Sequence, residues 1–381
     1  MGKTFNLEYI FEDGRFVQSR PFSLMLKPVG GACNLNCAYC YYKGGHLSGR
    51  MDMCRLEAVF ENYGASQPSG APLTFIWHGG EPLLAGEEYL REAIGLQRTL
   101  FSDFGSGPRQ VRNILQTNAT AVTESLASFL AENGFLCGVS VDGPEVLHDT
   151  SRKTLSGDGS WKRTMRGIRL LQDAGVQVNA MVAVGKHNVA YPAQVYGFLK
   201  DAGLGYIQFL PVAEGPSGWL EGEDWGNFLC GVFDLWKISD IGKVFVNYFD
   251  NTLALHVGLE PDLCVLARTC PPCPSVEADG AVYACDHLSR PLGGNMLEGA
   301  RLAEVMSSSQ EYSHETEKYL SLSEKCRSCP YRRLCNGDCP VHRTVLLENG
   351  ERISSLCPGY RKYFAYTYDF FAEWAASISI R

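Results

Sequence analysis

The stretch Gly31-Ala32-Cys33-Asn34-Leu35-Asn36-Cys37-Ala38-Tyr39-Cys40-Tyr41-Tyr42 places three cysteines on one short segment, directly after an apolar run from Phe22 to Val29. The cysteine spacing is C-x3-C-x2-C, and the asparagines and glycine around it are not typical of a core strand. Three thiolates on one loop can bind three irons of a [4Fe–4S] cube and leave the fourth iron open to a small molecule. A zinc knuckle and three buried free cysteines are the alternatives.

Apolar strand-like runs alternate with helix-like stretches over the first half of the chain. The strand candidates are Phe22–Val29, Leu73–Trp77, Val111–Gln116, Leu136–Val141, Val176–Val184 and Tyr206–Pro211. The helix candidates are Asp52–Tyr63, Gly86–Phe101, Thr123–Asn133, Trp161–Ala174 and Val189–Ala202. Gly134, Gly175 and Gly203 fall just past three of these helices, where a left-handed C-cap favours glycine. Six β/α units predict a parallel α/β architecture, either an open sheet or a barrel.

The rest of the chain has a different character. The first 20 residues predict a short hairpin that turns at Asp13-Gly14. Residues Asp224–Ser239 predict an amphipathic helix, Phe245–Leu259 predict a helical or mixed segment, and a boundary is expected near Pro261. A last helix is predicted from Gly359 to Ile378, with an aromatic stripe that packs against the body of the protein.

Composition limits the classes of function. The chain has 381 residues and a net charge of −8, which argues against a nucleic-acid partner. No apolar run reaches the roughly 18 residues of a membrane span. The N-terminal residues have no apolar core of a signal peptide, so a cytoplasmic protein is expected. Because the cytosol keeps thiols reduced, the fifteen cysteines are interpreted mainly as metal ligands.

Nine cysteines lie in the last third of the chain. They are Cys264, Cys270, Cys273, Cys285, Cys326, Cys329, Cys335, Cys339 and Cys357. The last five have the spacing C-x2-C-x5-C-x3-C-x17-C. One four-ligand site is not enough for nine thiols, whereas two sites use eight and leave one over. Tetrahedral zinc is the alternative to iron–sulfur clusters here.

Both cysteine arrays resemble known families. The first, with Tyr39 just before its last cysteine, resembles the radical S-adenosylmethionine (SAM) superfamily. The second resembles the SPASM auxiliary-cluster domain, and within it the anaerobic sulfatase-maturating enzymes, over essentially the whole chain from about Pro21. This resemblance implies a partial (β/α)6 barrel, a SPASM domain and a C-terminal helix. The expected division is a lead-in at 1–20, the barrel at 21–213, a connecting helical segment at 214–261 and the SPASM domain at 262–381.

The resemblance also implies three [4Fe–4S] clusters. The SAM-binding cluster takes Cys33, Cys37 and Cys40. The first auxiliary cluster takes Cys264, Cys270, Cys285 and Cys339, and the second takes Cys326, Cys329, Cys335 and Cys357. Four ligands close each auxiliary cluster, which is then limited to electron transfer. The spare cysteines are Cys54, Cys137, Cys230 and Cys273.

Further residues fall on positions that contact SAM in the family. They are Tyr42, Gly79, Gly80, Glu81, Gln116, Ser140, Arg152 and Leu210. An arginine fork suits the SAM carboxylate, whereas turn formation is the alternative for Ser140. His78 stands where some relatives carry glutamine, so no role is transferred to it. Asp286 matches the base that deprotonates the substrate side chain, and a surface aspartate in a turn is the alternative.

The implied function is oxidation of a cysteine or serine of a sulfatase polypeptide to Cα-formylglycine. The expected partners are an unfolded or nascent sulfatase and a low-potential electron donor of flavodoxin or ferredoxin type, with no nucleic acid and no membrane. Another SPASM peptide modifier, which forms thioether or carbon–carbon crosslinks, is the nearest alternative. An iron–sulfur electron carrier without catalytic activity and a zinc-scaffold binding module are the others.

Overall fold

The computed structural model describes residues 9–12, 15–42, 49–103, 107–213, 219–288, 290–309 and 318–379. Its strands are β1 (Tyr9–Glu12), β2 (Arg15–Gln18), β3 (Ser23–Leu26), β4 (Leu73–Trp77), β5 (Val111–Thr117), β6 (Leu136–Ser140), β7 (Gln177–Val184), β8 (Tyr206–Pro211), β9 (Phe245–Val246), β10 (Ser275–Val276), β11 (Val282–Tyr283), β12 (Val345–Leu346) and β13 (Arg352–Ile353).

The α-helices are α1 (Met53–Ala65), α2 (Glu87–Phe101), α3 (Glu124–Glu132), α4 (Glu145–Ser151), α5 (Trp161–Asp173), α6 (Pro192–Asp201), α7 (Gly222–Ser239), α8 (Asn247–His256), α9 (Leu302–Ser308), α10 (Glu324–Arg327), α11 (Arg332–Cys335) and α12 (Cys357–Ser379). Short 3-10 helices span Pro82–Ala85, Met296–Glu298 and Pro340–His342. Strands β1 and β2 form an antiparallel pair, as predicted, although the turn at Asp13-Gly14 lies outside the described residues.

The central sheet has nine strands in the order β11-β10-β3-β4-β5-β6-β7-β8-β9. Strands β3 to β8 are parallel and adjacent in chain order, and helices connect consecutive strands on the outside. This arrangement confirms the predicted partial (β/α)6 barrel. Because the strands are parallel, their carboxyl ends meet at one edge, where functional groups of such folds gather.

The strand positions follow from side chains that alternate between two faces. In β4, for example, Leu73, Phe75 and Trp77 are buried and the two residues between them are partly exposed. The predicted strand ending at Val29 is shorter in the structure, because the chain turns at Lys27, whose carbonyl accepts the Gly30 N–H at 3.0 Å.

The helix ends also follow local chemistry. The three predicted glycine C-caps are confirmed, with φ of 61°, 81° and 71° at Gly134, Gly175 and Gly203. The predicted mixed segment from Phe245 divides into β9 and α8. Helix α4 was not predicted, because the sequence around it was interpreted only as turn chemistry after Gly143.

Helix α12 packs along α7, and the two backbones approach closely where Gly359 faces Gly222 and Gly226. The predicted packing of the aromatic stripe is confirmed for the buried residues Tyr360, Tyr363, Phe364 and Phe371. Tyr366 and Tyr368, by contrast, are about half exposed.

The cysteine-rich section extends the barrel sheet. Strand β10 pairs parallel with β3, and β11 pairs antiparallel with β10. This section is therefore paired directly with the first barrel strand. The exact domain limits remain predictions. Within the described ranges, none of the helices has the length and apolar character needed to cross a membrane.

Candidate active site

The loop with Cys33, Cys37 and Cys40 follows β3 at the carboxyl edge of the sheet. Its backbone is tied to the segment after α4, because the N–H groups of Asn36 and Ala38 donate to the carbonyls of Lys153 and Ser151 at 2.6 and 2.8 Å. The three thiols are partly exposed. The loop therefore presents all three cysteines from one rigid support.

Asp142 anchors this cluster loop from the end of β6. Its Oδ2 atom accepts a 2.5 Å hydrogen bond from the Tyr39 hydroxyl and a 2.9 Å bond from Arg152 Nε. Its Oδ1 atom accepts the Ala183 N–H at 3.0 Å. Burial by itself raises the pKa of Asp142, but the charges of Arg152 and His187 lower that pKa well below its usual range. Asp142 is therefore a buried carboxylate that stays ionised.

Arg152 was predicted to bind the SAM carboxylate. Its Nε–H is used by Asp142 and its guanidinium lies over the Tyr39 ring. A contact with SAM would therefore use the other guanidinium nitrogens, and it stays a prediction.

Gly79 and Gly80 lie against the backbone of the cluster loop. The Gly80 N–H donates to the Gly30 carbonyl, and a Cβ on Gly80 would collide with the Ala32 carbonyl. Close approach of two backbone segments thus already requires glycine here. The predicted role of the two glycines in SAM binding comes in addition to this and is a prediction still.

Glu81 is buried and links the segment after β4 to the end of β5. Its carboxylate accepts from the Thr117 hydroxyl and the Asn118 N–H, both at 2.7 Å, and its own N–H donates to the Ala32 carbonyl. Burial raises the pKa of Glu81, and these hydrogen bonds partly oppose that shift. Because its side chain is occupied within the protein, any contact of Glu81 with SAM stays a prediction.

The other predicted SAM contacts lie at the same edge of the sheet. Gln116 and Ser140 are partly exposed near the ends of β5 and β6, and Leu210 is exposed near the end of β8. The Gln116 amide fills the space beside Gly138, where a side chain would collide with it. The structure thus leaves these three residues accessible at the site.

Asp286 brings the cysteine-rich section into the site. Its Oδ1 atom lies 2.5 Å from the Nζ atom of Lys27, which directly follows β3. Its Oδ2 atom accepts a hydrogen bond from the Tyr41 hydroxyl. The His78 Nδ1 atom, just after β4, is 4.0 Å from the same Oδ2. The Asp286 side chain is only 9% exposed. The alternative of a surface aspartate is therefore wrong for this residue.

Lys27 connects two carboxylates. Its Nζ atom is 3.2 Å from Glu277 Oε1 as well as 2.5 Å from Asp286, and it lies 4.2 Å from the centre of the Tyr42 ring. The Tyr42 hydroxyl donates to Glu277 at 2.6–2.7 Å. Tyr42, predicted to contact SAM, thus has its hydroxyl directed to Glu277, and its contact with SAM remains untested.

The charges of this cluster act on one another. Burial by itself raises the pKa of Asp286, but neighbouring His78 and Lys27 lower it well below its usual range. Burial lowers the pKa of His78, and the charge of Asp286 opposes that shift. Asp286 is therefore a carboxylate that stays ionised in the folded protein.

The sequence analysis missed Lys27, Tyr41 and Glu277. A signal was present for Lys27, which ends an apolar strand run and directly precedes the cluster loop. Such a lysine is expected to be buried only with a charged partner. Nothing local could have identified that partner, because Asp286 and Glu277 lie far along the chain.

The predicted ligand sets group together in space. Burial, and then the charges of Glu81 and of the thiols of Cys37 and Cys40, raises the pKa of Cys33 to about 11. Burial, and then the charges of Asp286, Cys264 and Cys273, raises the pKa of Cys285 to about 12. A thiol with a raised pKa stays protonated in the absence of a metal. Because a metal binds the thiolate form, metal binding would release these protons.

A buried cation accompanies the first auxiliary set. Lys318 is fully buried, and its Nζ atom donates to the carbonyls of Cys264 and Val265 at 3.0 and 2.9 Å. The thiols of Cys264, Cys270 and Cys339 are near enough to raise its pKa, although burial is the larger effect and lowers that pKa. Lys318 thus lies among the thiols of the first auxiliary set.

The second auxiliary set surrounds a cavity of about 220 Å³. All four of its predicted ligands line this cavity, namely Cys326, Cys329, Cys335 and Cys357. In the described part of the chain, no three histidine, cysteine, aspartate or glutamate residues are arranged to hold a single metal ion. Four thiols around one cavity fit a four-iron cluster, in which each iron takes one thiolate.

Comparisons with known proteins agree with this fold and with the cluster loop. The sequence profile of the radical SAM superfamily matches residues 28–199, which include the cluster loop. A serine-type anaerobic sulfatase-maturating enzyme of Bacteroides thetaiotaomicron is 38% identical, over 91% of this chain and 89% of its own. A cysteine-type enzyme of Clostridium perfringens is 29% identical, over 91% of this chain and 96% of its own.

A solved structure described as native anSMEcpe with bound AdoMet and Cp18Cys peptide superposes with a TM-score of 0.84. It is 28% identical, and the match covers 94% of this chain and 99% of the other. Fold and cluster loop together define a member of the radical SAM superfamily. Within it, the chain belongs to the family of anaerobic sulfatase-maturating enzymes.

Proposed function

We propose that this chain oxidises a cysteine or serine of a sulfatase polypeptide to Cα-formylglycine. Family membership supports the proposal, and one structural observation carries it. Asp286, from the cysteine-rich section, lies at the carboxyl edge of the barrel. It lies between Tyr41 of the cluster loop and His78, which directly follows β4. A base for the substrate side chain is needed beside the cluster loop, and this is where the carboxylate lies.

The chain's cysteines fit the three clusters that this function needs. Cys33, Cys37 and Cys40 would hold a [4Fe–4S] cluster with one iron open to SAM. The cluster and SAM together would supply hydrogen-atom abstraction at the substrate Cβ. The two C-terminal sets would hold closed clusters for electron transfer. Gly79, Gly80, Ser140 and Arg152 are proposed to hold SAM.

Asp286 is proposed to take the thiol or hydroxyl proton at its Oδ2 atom. Lys27 holds the other oxygen, so the carboxylate cannot rotate freely. The Tyr41 hydroxyl donates to Oδ2, and a carboxylate oxygen has a second lone pair for the substrate. Loss of one hydrogen atom, one proton and one electron converts the serine side chain to the aldehyde. The same losses from cysteine leave a thioaldehyde, which water hydrolyses with release of hydrogen sulfide.

The partners follow from this reaction. The substrate is proposed to be an unfolded or nascent sulfatase, because a side chain can reach a barrel edge only from a flexible segment. A low-potential carrier of flavodoxin or ferredoxin type is proposed as the electron donor, and the cytoplasm as the location. A crosslinking enzyme has no need of a base at Asp286, which favours formylglycine formation over that alternative.

The test uses two peptides that differ at one residue, a Cys-x-Pro-x-Arg sulfatase motif and its serine counterpart. Each is incubated anaerobically with the reconstituted protein, SAM and dithionite, and the products are read by mass spectrometry. Formylglycine in either peptide is expected, as loss of two hydrogens from serine or replacement of sulfur by oxygen with loss of two hydrogens from cysteine. A crosslinked peptide, or unchanged peptide while SAM is cleaved, would contradict the proposal.

A further inference from the structure

The cavity of the second auxiliary set has a basic rim. Besides the four thiols, its lining includes Lys325, Arg332 and Arg361, and it contains no carboxylate among the described residues. All three cations are exposed, and no ion pair is formed by any of them within the described ranges. The nearby Arg327, by contrast, is paired with Glu324 and Glu351 at 3.3 and 3.2 Å.

This basic rim contrasts with the rest of the protein. The chain carries a net charge of −8, so an acidic partner would be repelled by the molecule as a whole. A local cluster of unpaired cations reverses that effect at one place and orients an acidic partner toward it. The cations therefore favour binding of an acidic partner at the surface above the four thiols.

We propose that the basic rim, defined by Lys325, Arg332 and Arg361, is the docking surface for an acidic protein that carries single electrons. The inference rests on the proposed function, because it takes the four thiols as ligands of a closed cluster. In that reaction SAM cleavage takes up one electron and aldehyde formation releases one. A one-electron partner therefore has to reduce the protein before the first turnover, and again whenever the released electron does not return to the SAM-binding cluster. Electron transfer weakens steeply with distance, which favours docking directly above a cluster.

The sulfatase peptide is a less suitable occupant of the rim. Asp286, the proposed base, lies at the carboxyl edge of the barrel near the ends of β3 and β4. Arg332 lies on α11 and Arg361 on α12, elements of the cysteine-rich section that are outside the central sheet. The rim residues therefore lie on other elements than the residues that contact Asp286.

The test measures binding as well as activity. The double variant Arg332→Glu/Arg361→Glu reverses two rim charges, and neither residue adjoins a predicted ligand in the sequence. Its matched control is Arg163→Glu/Arg169→Glu, two exposed arginines on barrel helix α5. The probe is a purified flavodoxin of strongly acidic surface, immobilised for Kd measurement at low and physiological salt, with iron content determined on every sample.

The rim variant is expected to bind flavodoxin about tenfold more weakly, with a flatter salt dependence, while the control matches the wild type. The ratio of flavodoxin-driven to dithionite-driven turnover should fall with it. The milder Arg332→Gln/Arg361→Gln variant, which removes charge without adding any, should lie between the two in Kd.

Equal loss of affinity in rim and control variants, or none in either, would overturn the docking assignment. Weaker binding of the sulfatase peptide with unchanged flavodoxin binding would instead assign the rim to substrate. Absence of formylglycine from the wild type with dithionite would reject the proposed function, and the flavodoxin Kd comparison would still report on docking.

Discussion

The Lys27 ammonium lies 2.5 Å from the Asp286 carboxylate, and this ion pair links the first barrel strand to the cysteine-rich section. Both side chains are withdrawn from solvent, with exposures of 1% and 9%. Glu277 contacts the same ammonium at 3.2 Å, so one cation balances two carboxylates. The position of the proposed base therefore depends on a residue that does no chemistry itself.

Replacing Lys27 by methionine should destabilise the protein and slow formylglycine formation. Removal of one partner from a buried ion pair typically costs about 3–5 kcal/mol, because the remaining charge is left uncompensated. Lys27→Met/Glu277→Gln should recover part of this stability, since one carboxylate is then neutral. The measurements are Tm under anaerobic conditions and product formation on samples of equal iron content.

The control for that series is Lys237→Met. Lys237 is 2.6 Å from Asp234, and the two side chains are 36% and 46% exposed. An exposed pair contributes only about 0–1 kcal/mol. Equal destabilisation by Lys27→Met and Lys237→Met would show that the Lys27 pair has no special role.

The Asp286→Asn variant should still cleave SAM but form little product. The substitution keeps the shape of the side chain and removes the base, whose contribution is typically about 10²–10⁴-fold. SAM is therefore expected to be cleaved while formylglycine falls by at least about a hundredfold. Asp279→Asn is the control, because Asp279 is an exposed aspartate of the same section. Near-normal product from an iron-loaded Asp286→Asn protein would reject the base assignment.

The three cysteines of the cluster loop should control SAM cleavage alone. The reconstituted wild type is expected to hold about twelve irons, from three four-iron clusters. Changing Cys33, Cys37 and Cys40 together to alanine should remove about a third of them and abolish 5′-deoxyadenosine formation. Bound zinc with about four irons in the wild type would contradict the two auxiliary clusters. Normal 5′-deoxyadenosine formation by the variant would contradict the assignment of the open iron.

Asp142→Asn should loosen the cluster loop. Asp142 is fully buried and holds both Arg152 and Tyr39, so neutralising it leaves the Arg152 cation without a partner at a cost of about 3–5 kcal/mol. Tyr39→Phe removes only one hydrogen bond and should cost about 1 kcal/mol. Tm and iron content are compared for the two variants. A larger loss of stability from Tyr39→Phe than from Asp142→Asn would contradict the proposed order.

Much of the fold, and the position of the cluster loop in it, could be predicted from sequence. Strand and helix periodicity are local properties, and so are glycine caps and cysteine spacings within one loop. The predicted strands Leu73–Trp77 and Tyr206–Pro211 are therefore confirmed residue for residue. The same local information identified the cluster loop, because its three cysteines lie in a single turn of chain.

Only the tertiary structure decided how the distant groups meet. Asp286 reaches Lys27 and His78 because β10 adds to the sheet beside β3, a pairing that no local pattern specifies. The same holds for Tyr39 on Asp142, for Glu81 on Thr117 and for the arginines around the second auxiliary cavity. Sequence by itself determined which residue types this protein has for its chemistry. Strand order and the burial of opposite charges determined which of them share a site, because both depend on contacts between segments far apart in the chain.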